Sequence, residues 1–171
     1  VYQADLSARA AAREALPPRL VTIVSCSQDK LAVPAPARLL YARSRVFKAS
    51  ARFAELTSTG GWWILSALHG LVHPDQVLAP YNVTLKDLNQ REREAWGSRA
   101  STILLDRTGP RDTYVILAGQ EYSRWLSPAV TSRAIEPLRN LGSGQRYQWL
   151  MRAIADLDQR AGRQSSLFEQ P

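Results

Sequence analysis

Three short apolar runs, each followed by a helical pattern, constrain this chain more than any other feature. Leu20-Val21-Thr22-Ile23-Val24, Trp62-Trp63-Ile64-Leu65-Ser66-Ala67 and Tyr114-Val115-Ile116-Leu117-Ala118-Gly119 are nearly continuous and do not alternate with polar residues. A strand that is apolar on both sides is buried on both sides, the mark of a parallel sheet covered by helices. Helical patterns run from about Ala37 to Leu56, Leu88 to Asp106, Gln120 to Leu126 (where Pro128 interrupts) and Ser143 to Arg160. Residues 134–138 read as a fourth, short strand. The expected fold is α/β and three-layered, Rossmann-like, with a mostly parallel open sheet of about four strands and helices on both faces. Right-handed crossovers gather the carboxyl ends of the strands on one edge, where such sheets bind ligands.

The 171 residues suffice for one domain with a core that needs no covalent staple. Pro17-Pro18 closes an alanine-rich segment, so residues 1–18 are expected to form an N-terminal helix or arm. The domain is then expected over 19–160, with 161–171 a flexible tail. A single cysteine excludes an intrachain disulfide, and with only two histidines a zinc cage would have to be assembled from scattered carboxylates, so neither metal nor cofactor is expected. No apolar run approaches the roughly 20 residues of a spanning helix. These features describe a soluble, cytoplasmic protein without membrane contact.

The formal charge is +7 and the isoelectric point near 10.1. Such an excess favours polyanionic partners, nucleic acid or nucleotide, through phosphate attraction and counterion release. Ordinary surface charge is the other reading, since the basic residues are dispersed. Only three of the 22 are lysines: Lys30, Lys48 and Lys86.

Polar and glycine-rich positions fall at the expected strand ends. They are Ser25-Cys26-Ser27 through Lys30, Ser66 with His69-Gly70, Gly119-Gln120-Glu121 with Tyr122, and Ser143-Gly144-Gln145. Hydroxyls, exposed backbone N–H groups and a helix start together suit a phosphate or carboxylate. None of these loops is a Walker A or G-x-G-x-x-G signature. Cys26, Lys30 and His69 are the candidate catalytic residues: a thiol nucleophile, an amine that holds phosphate or attacks a carbonyl, and a base. Each has a plainer reading, as a small buried hydrophobe, a solvated lysine and a loop hydrogen bonder. Asp75 and Glu121 are the nearest carboxylates, and Tyr81 and Tyr122 the rings best placed to stack on a base.

The segments SCSQDKL at 25–31, APARLLY at 35–41, WWILSALHGLV at 62–72, APYNVTL at 79–85, LAGQEY at 117–122 and GSGQRYQWL at 142–150 occur in a specific order. That order resembles a little-characterised family of small bacterial and phage domains over about residues 20–155. This family looks distantly similar to the bacterial peroxide-stress (YaaA-like) proteins, which bind DNA. The opening loop, through Ser25, Cys26, Ser27 and Lys30, also resembles the base-modifying domain of archaeosine synthase, whose proline-tyrosine pair after the lysine is missing here.

These resemblances imply a nucleic-acid-associated, enzyme-like domain that acts on a nucleotide or base by base modification or glycosidic-bond chemistry. The alternatives are a non-catalytic DNA-binding protein of a stress-response or phage-defence system, and a cysteine-dependent hydrolase.

Within the tail, Gln164-Ser165-Ser166-Leu167-Phe168 looks like the Q-x-x-L-F peptide by which replication and repair proteins dock on the bacterial sliding clamp. Gln164, Leu167 and Phe168 would fill the clamp's apolar pocket, or Leu167 and Phe168 fold back onto their own domain. Under the docking reading, deletion of residues 163–171 abolishes co-purification with the clamp, and an unchanged pull-down excludes it.

Overall fold

The computed structural model describes residues 17–168, with side chains through Ala161 and at Arg163. The arm expected over 1–18 therefore lies almost wholly outside the described residues, as do the side chains of Gln164, Leu167 and Phe168.

The chain runs β1 (Leu20–Ser25), β2 (Ala35–Pro36), α1 (Ala37–Leu40), α2 (Arg45–Thr57), β3 (Trp62–Ser66), β4 (Gly70–Val72) and β5 (Val77–Leu78). A 3₁₀ turn (Leu85–Asp87) then precedes α3 (Gln90–Arg107), β6 (Thr113–Leu117), α4 (Gln120–Ser123), α5 (Pro128–Thr131), β7 (Ala134–Ile135) and α6 (Ser143–Phe168). Five strands form the main sheet in the order β4-β3-β1-β6-β7, while β2 and β5 make a separate pair. β1 runs parallel to β3 on one side and to β6 on the other, and β7 is parallel to β6. Within the described main sheet β4 alone is antiparallel, folding back from β3 so that Ser66 faces Gly70. Gly70, at φ +72°, takes the left-handed conformation that this reversal requires.

Alternation along β1 divides the core. Val24 packs with Phe47 and Ala54 of α2 and Leu150 and Ile154 of α6 on one face. On the other, Val21 and Ile23 join Trp96, Ala100 and Leu104 of α3 and Val130 of α5. Both faces are thus covered, and the fold is the Rossmann-like α/β arrangement anticipated from the apolar runs.

Local chemistry moved several boundaries. The helix expected over 37–56 is two helices, because Ser44 restarts the chain by accepting a hydrogen bond from the Phe47 N–H at 3.2 Å. Pro128 begins α5 as its first residue, a position where its missing N–H costs nothing. The loop expected over 68–75 contains β4. The tail expected from 161 is helical to Phe168, since Gly162 costs a helix only about 1 kcal/mol and no proline follows until Pro171.

A glycine inside α3 reflects close packing. An alanine methyl at Gly97 would collide with the Trp125 carbonyl. That overpacking costs about 1–3 kcal/mol, more than the roughly 1 kcal/mol that alanine gains in helix propensity.

The amino ends of β1 and β6 are tied by charge. Arg19 places a guanidinium N–H 2.8 Å from Asp112 and donates its backbone N–H to the same carboxylate at 3.0 Å, while the Gly109 N–H donates at 2.7 Å. Arg133 donates to the Pro110 and Asp112 carbonyls at 2.6 and 3.2 Å. Burial by itself pushes the Asp112 carboxyl up, but the Arg19 and Gly109 donors outweigh it and hold it below its ordinary value. A carboxyl depressed on folding stabilises the fold above its unfolded pKa, about 3.9, and that contribution is lost as pH falls through the lower folded value. Asp112→Ala should therefore cost about 3 kcal/mol at neutral pH in urea unfolding and flatten the acid limb of the stability profile.

Candidate functional site

Parallel neighbours on both sides of β1 force the chain to cross the sheet. From β1 it passes through α2 to β3, and from β4 it returns through α3, on the opposite face, to β6. The loops after β1 and β6 consequently leave toward opposite faces, and a crevice opens between them. There lies a cleft of about 900 Å³. Residues 26–28, Lys30 and 121–122, from those two loops, form part of its wall, with 82–87 and Ser143 completing it.

Of the residues singled out in the sequence, Cys26, Ser27, Lys30, Tyr122, Ser143 and the carboxylate Glu121 line this cleft. Cys26 Sγ lies 3.3 Å from the Tyr122 hydroxyl, a contact that bridges the loops after β1 and β6. Tyr122 is fixed from behind by Trp96 of α3, whose ring centroid is 5.8 Å away. Burial, and then the neighbouring Cys26, push the Tyr122 phenol up, so that it stays protonated and can donate to the sulfur.

Other candidates stand behind the wall. Ser66 is fully buried, its hydroxyl 2.7 Å from that of Tyr81, and it accepts the His69 N–H at 3.0 Å. The Tyr81 hydroxyl is also 2.7 Å from that of buried Tyr41, giving a chain of three hydroxyls. The Ser66 carbonyl takes the Trp96 indole N–H at 3.0 Å. His69 sets its ring edge-on to Tyr81 at 5.3 Å and is not part of the cleft wall. Gly70 belongs to the β3–β4 reversal. Gly119 is the buried cap residue of α4, where a Cβ would meet the Glu121 carboxylate and the Arg146 guanidinium. The Gln120 side chain reaches Asn140 at 3.3 Å, and Gln145 accepts the Gly142 N–H at 3.0 Å beside the exposed Gly144. Ser25 ends β1 opposite Leu65. Asp75 lies away from the wall and pairs with Arg38 at 2.7 Å.

The segment Asn82–Asp87 was missed as a wall. Its one mark in the sequence is the cap spacing of Thr84 and Asp87. The Thr84 N–H and hydroxyl lie 2.7 and 3.1 Å from the Asp87 carboxylate, and they hold that carboxyl below its ordinary value. Charges on the wall are mixed: Lys30 and Lys86 oppose Asp87 and Glu121. Both carboxylates are engaged, Asp87 by Thr84 and Glu121 by Arg146 at 3.4 Å. Burial lowers the Lys30 pKa, against the attraction of Cys26 and Asp29.

Among the described residues no three His, Cys, Asp or Glu side chains cluster to hold a metal ion, and no helix is long and apolar enough to cross a membrane. The arrangement offers a thiol, an amine and hydroxyl donors around a cavity of small-molecule size. Because Ser66 joins Tyr81 to the β3–β4 reversal, Ser66→Ala should leave the Tyr81 hydroxyl and the His69 N–H each short of a partner. A loss of about 1–3 kcal/mol is expected in urea unfolding at unchanged m-value.

No curated protein matches the chain significantly. One family model does, from the second residue of β1 to the third turn of α6, a span that includes every residue lining the cleft. Over residues 21–152 the chain belongs to the family of unknown function DUF6884.

Proposed function

We propose that this protein is an enzyme of nucleic-acid metabolism that acts on a nucleotide or nucleobase in the strand-end cleft, by base modification or glycosidic-bond chemistry. The observation that carries this reading is the Cys26–Tyr122 contact across the crevice, set in a cleft whose wall also holds Lys30, Lys86 and Ser143. In glycosidic-bond cleavage the Cys26 sulfur, as a thiolate hydrogen-bonded by the Tyr122 hydroxyl, bonds to the sugar C1′ as the C1′–N bond breaks. The base leaves with that electron pair and takes up the proton the thiol lost, and water then hydrolyses the S–C1′ bond and restores the thiol. Lys30 and Lys86 hold the ligand's phosphate, aided by Ser143 at the start of the 26-residue α6, which has no acidic residue in its first turn. A volume of about 900 Å³ suits a mononucleotide or a single extruded nucleotide. The net charge of +7, the likeness of the Ser25–Lys30 loop to the base-modifying domain of archaeosine synthase and the family's distant similarity to the peroxide-stress proteins support the same assignment.

Titration with AMP, other mononucleotides, free bases and short single-stranded DNA tests it. At least one mononucleotide or base should bind, Lys30→Met should weaken a phosphate-bearing ligand about tenfold, and Cys26→Ser should abolish turnover while leaving binding intact. Absence of binding by every member of the panel would overturn the proposal. DNA affinity that falls steeply with salt, with no turnover, would replace it with a non-catalytic DNA binder.

A further inference from the structure

Tyr81 sits in an irregular segment between β5 and the 3₁₀ turn, where a side chain is ordinarily free to swing. Here it is held at three points. Its hydroxyl lies 2.7 Å from both the Tyr41 and the Ser66 hydroxyls, and its ring packs against His69. The clamping groups come from the turn after α1 and from the end of β3, elements anchored in the core. Across the ring lies Lys30, its Nζ 4.3 Å from the Tyr81 centroid and 5.8 Å from that of Tyr41. Lys30 comes from the loop after β1 and lines the cleft, and its ammonium also donates to the Gln28 carbonyl at 3.2 Å.

A lysine on a loop loses substantial rotamer freedom when it is ordered, so a fixed ammonium needs a fixed partner. No carboxylate stands within ion-pairing distance of it among the described residues; the negative face of the Tyr81 ring takes that place. The difference matters at a ligand site. A carboxylate would compete with an incoming anion for the ammonium, whereas a ring face holds the charge and leaves its hydrogen-bond donors available.

We infer that Tyr81 is a positioning residue: its clamped ring holds the Lys30 ammonium in the cleft, pre-set to receive an anionic group of the ligand. The inference depends on the nucleotide reading only for what Lys30 binds. Where Lys30 sits is tested without any ligand.

The chain has only three lysines, so protein labelled with ¹³C-lysine gives three side-chain signals, with Lys48 as an internal reference. In the wild type the Lys30 ε-methylene signal should be shifted upfield by the ring beneath it. Tyr81→Phe should keep that shift, since the ring face remains, and Tyr81→Leu should lose it while Lys48 stays in place. If Tyr81→Leu does not fold, trifluorophenylalanine at 81 replaces it; drained of its negative face, that ring should lower the Lys30 pKa relative to phenylalanine at 81. A Lys30 signal indifferent to both variants would overturn the inference. Titration with AMP then separates the two proposals. Binding weakened about fivefold by Tyr81→Leu and restored by Tyr81→Phe supports the positioning role. Unchanged AMP affinity in a Tyr81→Leu protein that has lost the upfield shift would overturn it. Wild-type protein that binds neither AMP nor any other member of the panel while keeping the ring shift would remove the nucleotide reading and leave the Lys30–Tyr81 placement standing.

Discussion

The register of β1 between two parallel neighbours is the constraint on which the remaining structure depends. Ile23 pairs with Trp63 on one side and Ile116 on the other, so the middle of this strand is bonded into the sheet along both edges. Parallel strands cannot be joined by a tight turn, and the connections must leave the sheet as helices on its faces. With β3 to one side of β1 and β6 to the other, those connections depart in opposite directions. The gap between them at the carboxyl ends is a consequence of chain path, and Cys26 and Lys30 after β1 and Tyr122 after β6 line it.

The two poles of the sheet are built from different chemistry. At the amino ends, Arg19, Gly109 and Arg133 donate to Asp112 and the surrounding carbonyls, a network in which charge is paired. At the carboxyl ends, buried hydroxyls of Tyr41, Tyr81 and Ser66 support a wall whose thiol, amine and phenol face a cavity. Rigid backing behind reactive groups is what a binding site requires, because a ligand then costs little reorganisation. The fully buried Tyr41 and Ser66 supply that rigidity, and loops supply the chemistry.

Much of the site was legible where it followed directly on an apolar run. The residues from Ser25 to Lys30 read as a strand-end loop because the preceding five are continuously apolar, and Cys26, Ser27 and Lys30 all reach the cleft. Tyr122 reads the same way after the third run, whereas Ser143 is marked by the glycine turn that opens α6. His69 was drawn to the site for its position after β3, but the chain turns back there into β4, and the imidazole ends against Tyr81 behind the wall. The wall from Asn82 to Asp87 has neither helical nor strand periodicity; only its Thr84–Asp87 spacing marks it, and a capping pattern says nothing of which cavity it borders. In α6, loss of apolar periodicity after Arg160 suggested a tail, yet helix propagation needs only the absence of a breaker.

The amino-acid sequence by itself determined that there would be strands buried on both faces, helices between them and polar loops at their ends, because burial and periodicity are local properties written in consecutive residues. It also placed the thiol and the amine four residues apart on one such loop. Tertiary structure alone decided that β6 lies beside β1, that Tyr122 therefore meets Cys26, and that Tyr81 carries Lys30 on its face. The physical reason is that strand order is chosen by the packing of α2 and α6 on one face and α3 on the other, a balance summed over the whole core that no single segment encodes.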